Sequence, residues 1–192
     1  MSETVEIRLR RLEDRAAIED LVLLYFHVMD ERDLAGLSAV FTADAHLGSG
    51  DGVFDATGLA ALEEIYRERF AVLGPTFHFS HGVLITPDPD DPDTATGVLT
   101  GHAELVRNGE PTLVALRYRD VYRRTPAGWR IADRVMSYFY YCSAEEYATV
   151  LVSAERNRAY ARPGPADWPT VLRAESGGRA PDWLRALTAP TE

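Results

Sequence analysis

Histidine and carboxylate are the side chains that most readily move protons near neutral pH. His78 stands in the run Phe77-His78-Phe79-Ser80-His81, and Asp30 stands where a long apolar-faced segment ends. A carboxylate that fixes one imidazole nitrogen as a donor leaves the other free to take a proton, which makes a general base. At a helix end Asp30 meets the negative pole of the helix dipole, and burial disfavours its charge unless an imidazolium compensates. Spacing does not show that the two touch. An aspartate capping a turn and a histidine in a strand is the alternative reading. Tyr25, five residues before Asp30, lies about 140° from it around a helix axis. It can flank the same pocket if the helix end bends, and there donate to a carbonyl or a leaving hydroxyl. Its other reading is a core tyrosine.

Further candidates lie on strand-like segments. His78 and His81 fall on opposite faces of a regular strand, so at most one of them points inward. His102 shares a face with Thr96, Val98, Thr100 and Glu104, while Ala95, Gly97, Leu99, Gly101, Ala103 and Leu105 share the other. The small residues of that second face leave room for a ligand or a close helix. Which face looks into a pocket is open, so His102 is a secondary binding candidate; His46 and His27 are weaker ones. Tyr118, Asp120 and Tyr122 share one strand face, and Arg134 stands on the next strand. An inward arginine can hold an anionic intermediate or a substrate carboxylate; an Arg–Asp pair joining neighbouring strands is the alternative.

Other chemistries lack their signatures. There is no His-Glu-x-x-His, and no Gly-x-Ser-x-Gly elbow. Gly48-Ser49-Gly50-Asp51-Gly52 lacks the lysine of a phosphate loop. Cys142 is the only cysteine, which excludes an intrachain disulfide and a cysteine-rich zinc site and suits a small packing residue. Neither a metal nor an organic cofactor is expected.

The elements that must position these groups follow from periodicity. An amphipathic helix is predicted over about Leu12 to Met29, with Ile18, Leu21, Val22, Leu24 and Tyr25 inward. A short helix carries Leu34, Leu37, Val40 and Phe41. A third spans Leu59 to Val72, with Leu62, Ile65, Tyr66 and Phe70 inward, Thr57 as cap and Gly74-Pro75 as its stop. The period then changes to that of strands: His78 to Ile85, Thr94 to Val106, Thr112 to Arg123 and Trp129 to Phe139. Asn108-Gly109 and Ala127-Gly128 are their turns. Ser143 to Arg162 reads as helical, and the tail beyond Asp167 is rich in Pro, Gly, Ala and Arg, with Trp168 and Trp183 able to dock.

The whole is α+β: helices first, then a mainly antiparallel sheet, strongly curved into a cone that encloses a pocket. Residues 1–142 form the domain and 143–192 a helical extension and tail. With 192 residues and 46% hydrophobic composition the chain is long enough for one real core. A net charge of −10 argues against nucleic acid as a partner. No apolar run approaches a bilayer span and no secretion signal is visible, so a cytoplasmic protein without membrane partners is expected.

Taken together, Arg11 to Ile18, Tyr25 to Asp33, Phe41-Thr42-Ala43-Asp44, Phe77-His78, Tyr118-Arg119-Asp120-Val121-Tyr122 and Gly128-Trp129-Arg130-Ile131 with Arg134 resemble the SnoaL-like branch of the nuclear-transport-factor-two-like superfamily. The resemblance covers about Val5 to Tyr141 and implies a cone-shaped α+β barrel with an interior cavity. It is nearest to the scytalone dehydratase, lindane dehydrochlorinase and bile-acid 7α-dehydratase group. There an aspartate near the end of the first helix orients a histidine at a strand start, and Asp30 and His78 fall on those positions. Tyr25 matches a catalytic tyrosine of the bile-acid enzyme, and Arg134 a pocket arginine of the dehydrochlorinase. His102 lies near, but not on, a second histidine of scytalone dehydratase. Met29 departs from that enzyme's tyrosine beside the aspartate, and residues 143–192 depart from shorter members. The resemblance implies a lyase of the dehydratase type, with His78, Asp30 and Tyr25 catalytic. His102, Arg134, Tyr118 and Asp120 would bind a small apolar cyclic or polyketide-like substrate. An isomerase or polyketide cyclase using the same base, or a non-catalytic binding or assembly module, are the alternatives. A homodimer or higher homo-oligomer is expected on the same ground.

Overall fold

The computed structural model describes residues 4–160 and 162–188. Helix α1 (Val5–Asp30) starts earlier than its apolar stripe, because the Thr4 hydroxyl accepts the Ile7 N–H and caps it. Its first turns are exposed. Its second half buries Ile18, Leu21, Val22, Tyr25, Phe26, Val28 and Met29, whereas Leu24, expected inward, is exposed. The chain reverses at Arg32, which adopts a positive φ of 56°. It continues through α2 (Leu37–Val40), β1 (Phe41–Ser49) and β2 (Asp55–Thr57) into α3 (Leu59–Val72). Gly58, not Thr57, occupies the α3 cap, with no side-chain hydrogen bond.

Four long strands follow: β3 (Leu73–Pro87), β4 (Thr94–Arg107), β5 (Glu110–Thr125) and β6 (Gly128–Ser143). They are an antiparallel meander, each longer than its expected core. Asn108 and Gly109 have φ of 50° and 81°, the pair of left-handed residues that a tight hairpin needs. β1 then pairs parallel with β6, giving the order β2-β1-β6-β5-β4-β3.

That order corrects the expected cone and barrel. β2 and β3 lie at opposite edges with no pairing between them, so the mixed, mainly antiparallel sheet is neither curled nor closed. The physical reason is that β2 contributes only three residues, all paired to β1, and offers no ladder to carry the sheet round. One face of this open sheet packs on α1 and α3.

The alternation on β4 decides the inner face. Ala95, Leu99 and Ala103 are buried there. Gly101 sits between a strand and a helix: a Cβ on it would lie 2.6 Å from the Phe79 carbonyl oxygen and 3.5 Å from Phe26 Cζ.

The C-terminal extension differs from expectation. Only Tyr147–Val150 (α4) is helical within the expected Ser143 to Arg162 segment, of which residue 161 lies outside the described residues. Side chains take over the backbone groups that a helix would use: Ser153 accepts the Glu155 N–H at 3.1 Å, and Asn157 accepts the Ala159 N–H at 3.1 Å. The chain instead lies along the sheet. Tyr141 bridges Asn157, and the buried Asp167 carboxylate accepts the Tyr138 N–H at 2.6 Å. Trp168 and Trp183, the latter in α5 (Asp182–Thr188), both flank the Arg117 guanidinium. The tail's last residues, 189–192, lie outside the described residues. Cys142 is buried against Ala115, Tyr140 and Val150. Among the described residues no helix is long and apolar enough to cross a membrane.

Gly101→Val overfills the helix–sheet contact. It is expected to cost about 1–3 kcal/mol, seen as a lower midpoint in urea unfolding followed by circular dichroism; an unchanged midpoint contradicts the close approach.

Candidate functional site

Between the inner sheet face and helices α1 and α3 lies a cavity of about 410 Å³. Its walls are largely aromatic and aliphatic, and His78 is set in them. β3 places His78 opposite Ala103 of β4, whose methyl group leaves space beside the ring. The imidazole stacks on Phe26 of α1, with centroids 5.3 Å apart and planes 9° apart.

Asp30, the last residue of α1, uses both carboxylate oxygens on this one residue. His78 Nδ1 lies 2.5 Å from Oδ1, and the His78 backbone N–H donates to Oδ2 at 3.0 Å. An ionised carboxylate can only accept, so Nδ1 carries the proton and Nε2 is left as an acceptor. Nε2 has no hydrogen-bond partner among the described residues. Both side chains are largely buried, 13% exposed for His78 and 15% for Asp30. Burial pushes the Asp30 carboxyl up, but the bonds from the His78 ring and backbone outweigh it and hold the group below the usual carboxylate range. Asp30 is not on the cavity wall; it lies behind the imidazole, which does line it.

Tyr25 does reach the cavity. The helix remains regular to Asp30, and the angular separation is bridged by His78, which extends from Asp30 towards the hollow. The Tyr25 hydroxyl lies 3.2 Å from that of Tyr66 on α3. One hydroxyl donates to the other, so the pair keeps one O–H to offer a ligand. Burial pushes the Tyr66 and Tyr118 phenols well up, so both remain protonated donors at neutral pH.

The other expected binding residues separate. Tyr118 lines the cavity, but Arg134, Asp120 and His102 do not. Arg134 and Asp120 face each other across β5 and β6 in a fully buried bidentate pair, Nε to Oδ1 at 2.8 Å and a terminal nitrogen to Oδ2 at 2.6 Å. Tyr122 donates to the same carboxylate at 2.8 Å. The guanidinium carbon lies 4.1 Å from the Tyr25 ring centre and 4.4 Å from that of Tyr118. The pair thus forms the shelf on which two cavity tyrosines rest, in line with the strand-joining reading. Burial works against the Arg134 cation, but Asp120 beside it prevails and raises its pKa.

His102 lies on the opposite sheet face, its ring bonded to that of His81. Burial and the neighbouring His81 lower its pKa. His46 of β1 sits between Asp133 of β6 and Asp55 of β2, and His27 is exposed. Among the described residues no cluster of three or more His, Cys, Asp or Glu could hold a metal ion.

Sequence reasoning placed Tyr66 in the core without its hydroxyl role, and missed Arg69, Tyr138 and Tyr160 as cavity residues. For Arg69 a signal existed: it follows Ile65 and Tyr66 at the four- and three-residue spacing of the apolar α3 stripe.

The SnoaL-like domain family matches over residues 10–135, and the chain belongs to that family, within a superfamily rich in enzymes that act on small molecules. No curated protein matches this sequence. Among solved structures, a candidate aromatic ring hydroxylase from Novosphingobium aromaticivorans is 28% identical with a TM-score of 0.64, covering 72% of this chain and 98% of that one. An NTF2-like protein with a cystatin-like fold from the same organism is also 28% identical, with a TM-score of 0.59 over 70% and 88%. A hexachlorocyclohexane dehydrochlorinase from Novosphingobium barchaimii is 20% identical, with a TM-score of 0.62 over 71% and 93%, a likeness of fold.

Asp120→Ala strands a buried guanidinium and is expected to cost about 3–5 kcal/mol of stability, measured by denaturant titration. A variant of full stability that only weakens ligand binding would instead place Asp120 at the substrate.

Proposed function

We propose that this chain is a cofactor-independent lyase of the dehydratase type, acting on a small, mostly apolar cyclic or polyketide-like substrate. The observation that carries this reading is the free Nε2 of His78 on the cavity wall, with Nδ1 fixed by Asp30. Nε2 removes a proton from the carbon next to a carbonyl. Asp30 holds the ring in place and lies beside the charge that the proton brings to it. The Tyr25–Tyr66 pair donates to the carbonyl oxygen as it becomes an enolate. The electron pair then re-forms the carbonyl and expels a β-hydroxyl, which leaves as water with the proton carried on the imidazolium. Isomerisation and aldol cyclisation pass through the same enolate and need the same groups. The apolar walls exclude water and strengthen each of these contacts.

On this reading residues 143–192 are an extension of the catalytic domain, with Ala159 and Tyr160 completing the cavity wall.

The test is solvent-deuterium exchange into the acidic C–H of bicyclic ketones such as 2-tetralone, followed by mass spectrometry. His78→Ala is expected to lower the catalysed rate by about 10²–10⁴-fold. Equal rates for wild type and variant exclude His78 as the base and leave a non-catalytic binding module as the better description.

A further inference from the structure

The cavity contains a cation that the proton-transfer reading does not use. Arg69 projects from α3 into the wall. Its guanidinium carbon lies 4.3 Å from the Phe54 ring centre and 5.8 Å from that of Tyr66. Its one hydrogen bond among the described residues goes to the Met136 sulfur at 3.4 Å, a weak acceptor. Glu68 borders the same cavity, yet no carboxylate oxygen of the described residues lies within 4.0 Å of the Arg69 guanidinium. Guanidinium is charged at any physiological pH and presents five N–H donors. A charge half-withdrawn from water, as Arg69 is, is commonly paired, and the fully buried Arg134 in the same domain shows what such pairing looks like.

The second cavity arginine is already engaged. Arg107 donates to the Ala159 carbonyl and lies over the Tyr141 ring at 5.4 Å, so it holds the extension against the cavity. Arg69 has no such employment. Around it the cavity is walled by the rings of Phe54, Tyr66, Tyr118, Tyr138 and Tyr141. Burial pushes the Tyr138 phenol up to about 12, so these tyrosines are neutral near pH 7 and do not balance the arginine. They can add O–H donors to an incoming anion.

Building on the proton-transfer reading, we infer that Arg69 is a specificity residue: the substrate is a ring compound with an anionic oxygen group, a carboxylate or an ionised phenol, bound by the Arg69 guanidinium while its ketone faces His78. Arginine's planar fork suits such oxygens, and the aromatic walls accept a flat skeleton. The negative net charge of the whole chain, −10, makes a local cation in the hollow the feature that selects for an anion.

The experiment is calorimetric binding of three probes: 1-tetralone, its 6-carboxylate and its 6-hydroxy analogue. Wild type is expected to bind the carboxylate about 10-fold or more tighter than the parent ketone, the scale of one charge-assisted contact. Arg69→Met should remove that difference while leaving parent-ketone affinity and melting temperature unchanged, and Arg69→Lys should retain part of it. A preference for the hydroxy analogue that appears only as pH rises through its ionisation identifies phenolate as the anion source; preference for the carboxylate throughout identifies carboxylate. Equal binding of all three probes by wild type overturns the inference, as does an Arg69→Met variant that weakens ketone and anion alike. Because binding is read without turnover, the same series in His78→Ala keeps the anion preference even where deuterium exchange fails to depend on His78, so the two readings fail separately.

Discussion

One carboxylate holds two donors of a single residue, and the site depends on it. Asp30 ends α1, where the helix dipole is unfavourable to a negative charge, and it is largely withdrawn from water. Two hydrogen bonds from His78, one from the ring and one from the backbone, offset both penalties. The backbone bond fixes the strand against the helix end; the ring bond fixes the tautomer. If the carboxylate gripped the ring alone, the free nitrogen would still be set, but the strand that carries it would not be fixed against the helix end.

The remainder of the domain keeps that arrangement beside a hollow. An open sheet does not enclose space by itself. The hollow arises because α1 and α3 stand off the inner face on large aromatic side chains, while small residues on β4, Ala103 opposite His78 above all, do not fill the gap. Beneath the tyrosines the buried Arg134–Asp120 pair fixes the rings of Tyr25 and Tyr118 from below. Such a pair contributes little net stability against apolar substitutes, but it orients what rests on it. The extension closes one side, tied down by Arg107 at Ala159 and by Asp51 at Asn157.

Much of this was legible in the residues. The bounds of α3, the meander and the Asn108-Gly109 turn follow from period and turn chemistry. The family resemblance aligned Asp30 with His78, which spacing alone left open. Four features were not legible, each for a physical reason. Sheet closure depends on how long the edge strands are and what they pair with, and β2 is too short to announce itself. Strand parity divided β4 into two faces without naming the inner one, so His102 could not be placed until Ala103 was seen beside His78. The extension has helical composition, but Ser153 and Asn157 divert its backbone hydrogen bonds, a competition that composition does not register. Arg134 was ambiguous between a ligand group and a strand link because both uses ask for the same side chain.

The most direct measurement is the ¹⁵N chemical-shift pattern of the His78 imidazole in selectively labelled protein near neutral pH. The account requires a protonated Nδ1 and a bare Nε2, with that preference weakened when Asp30 is replaced by alanine. A ring protonated at Nε2, or a tautomer indifferent to the loss of Asp30, would contradict it.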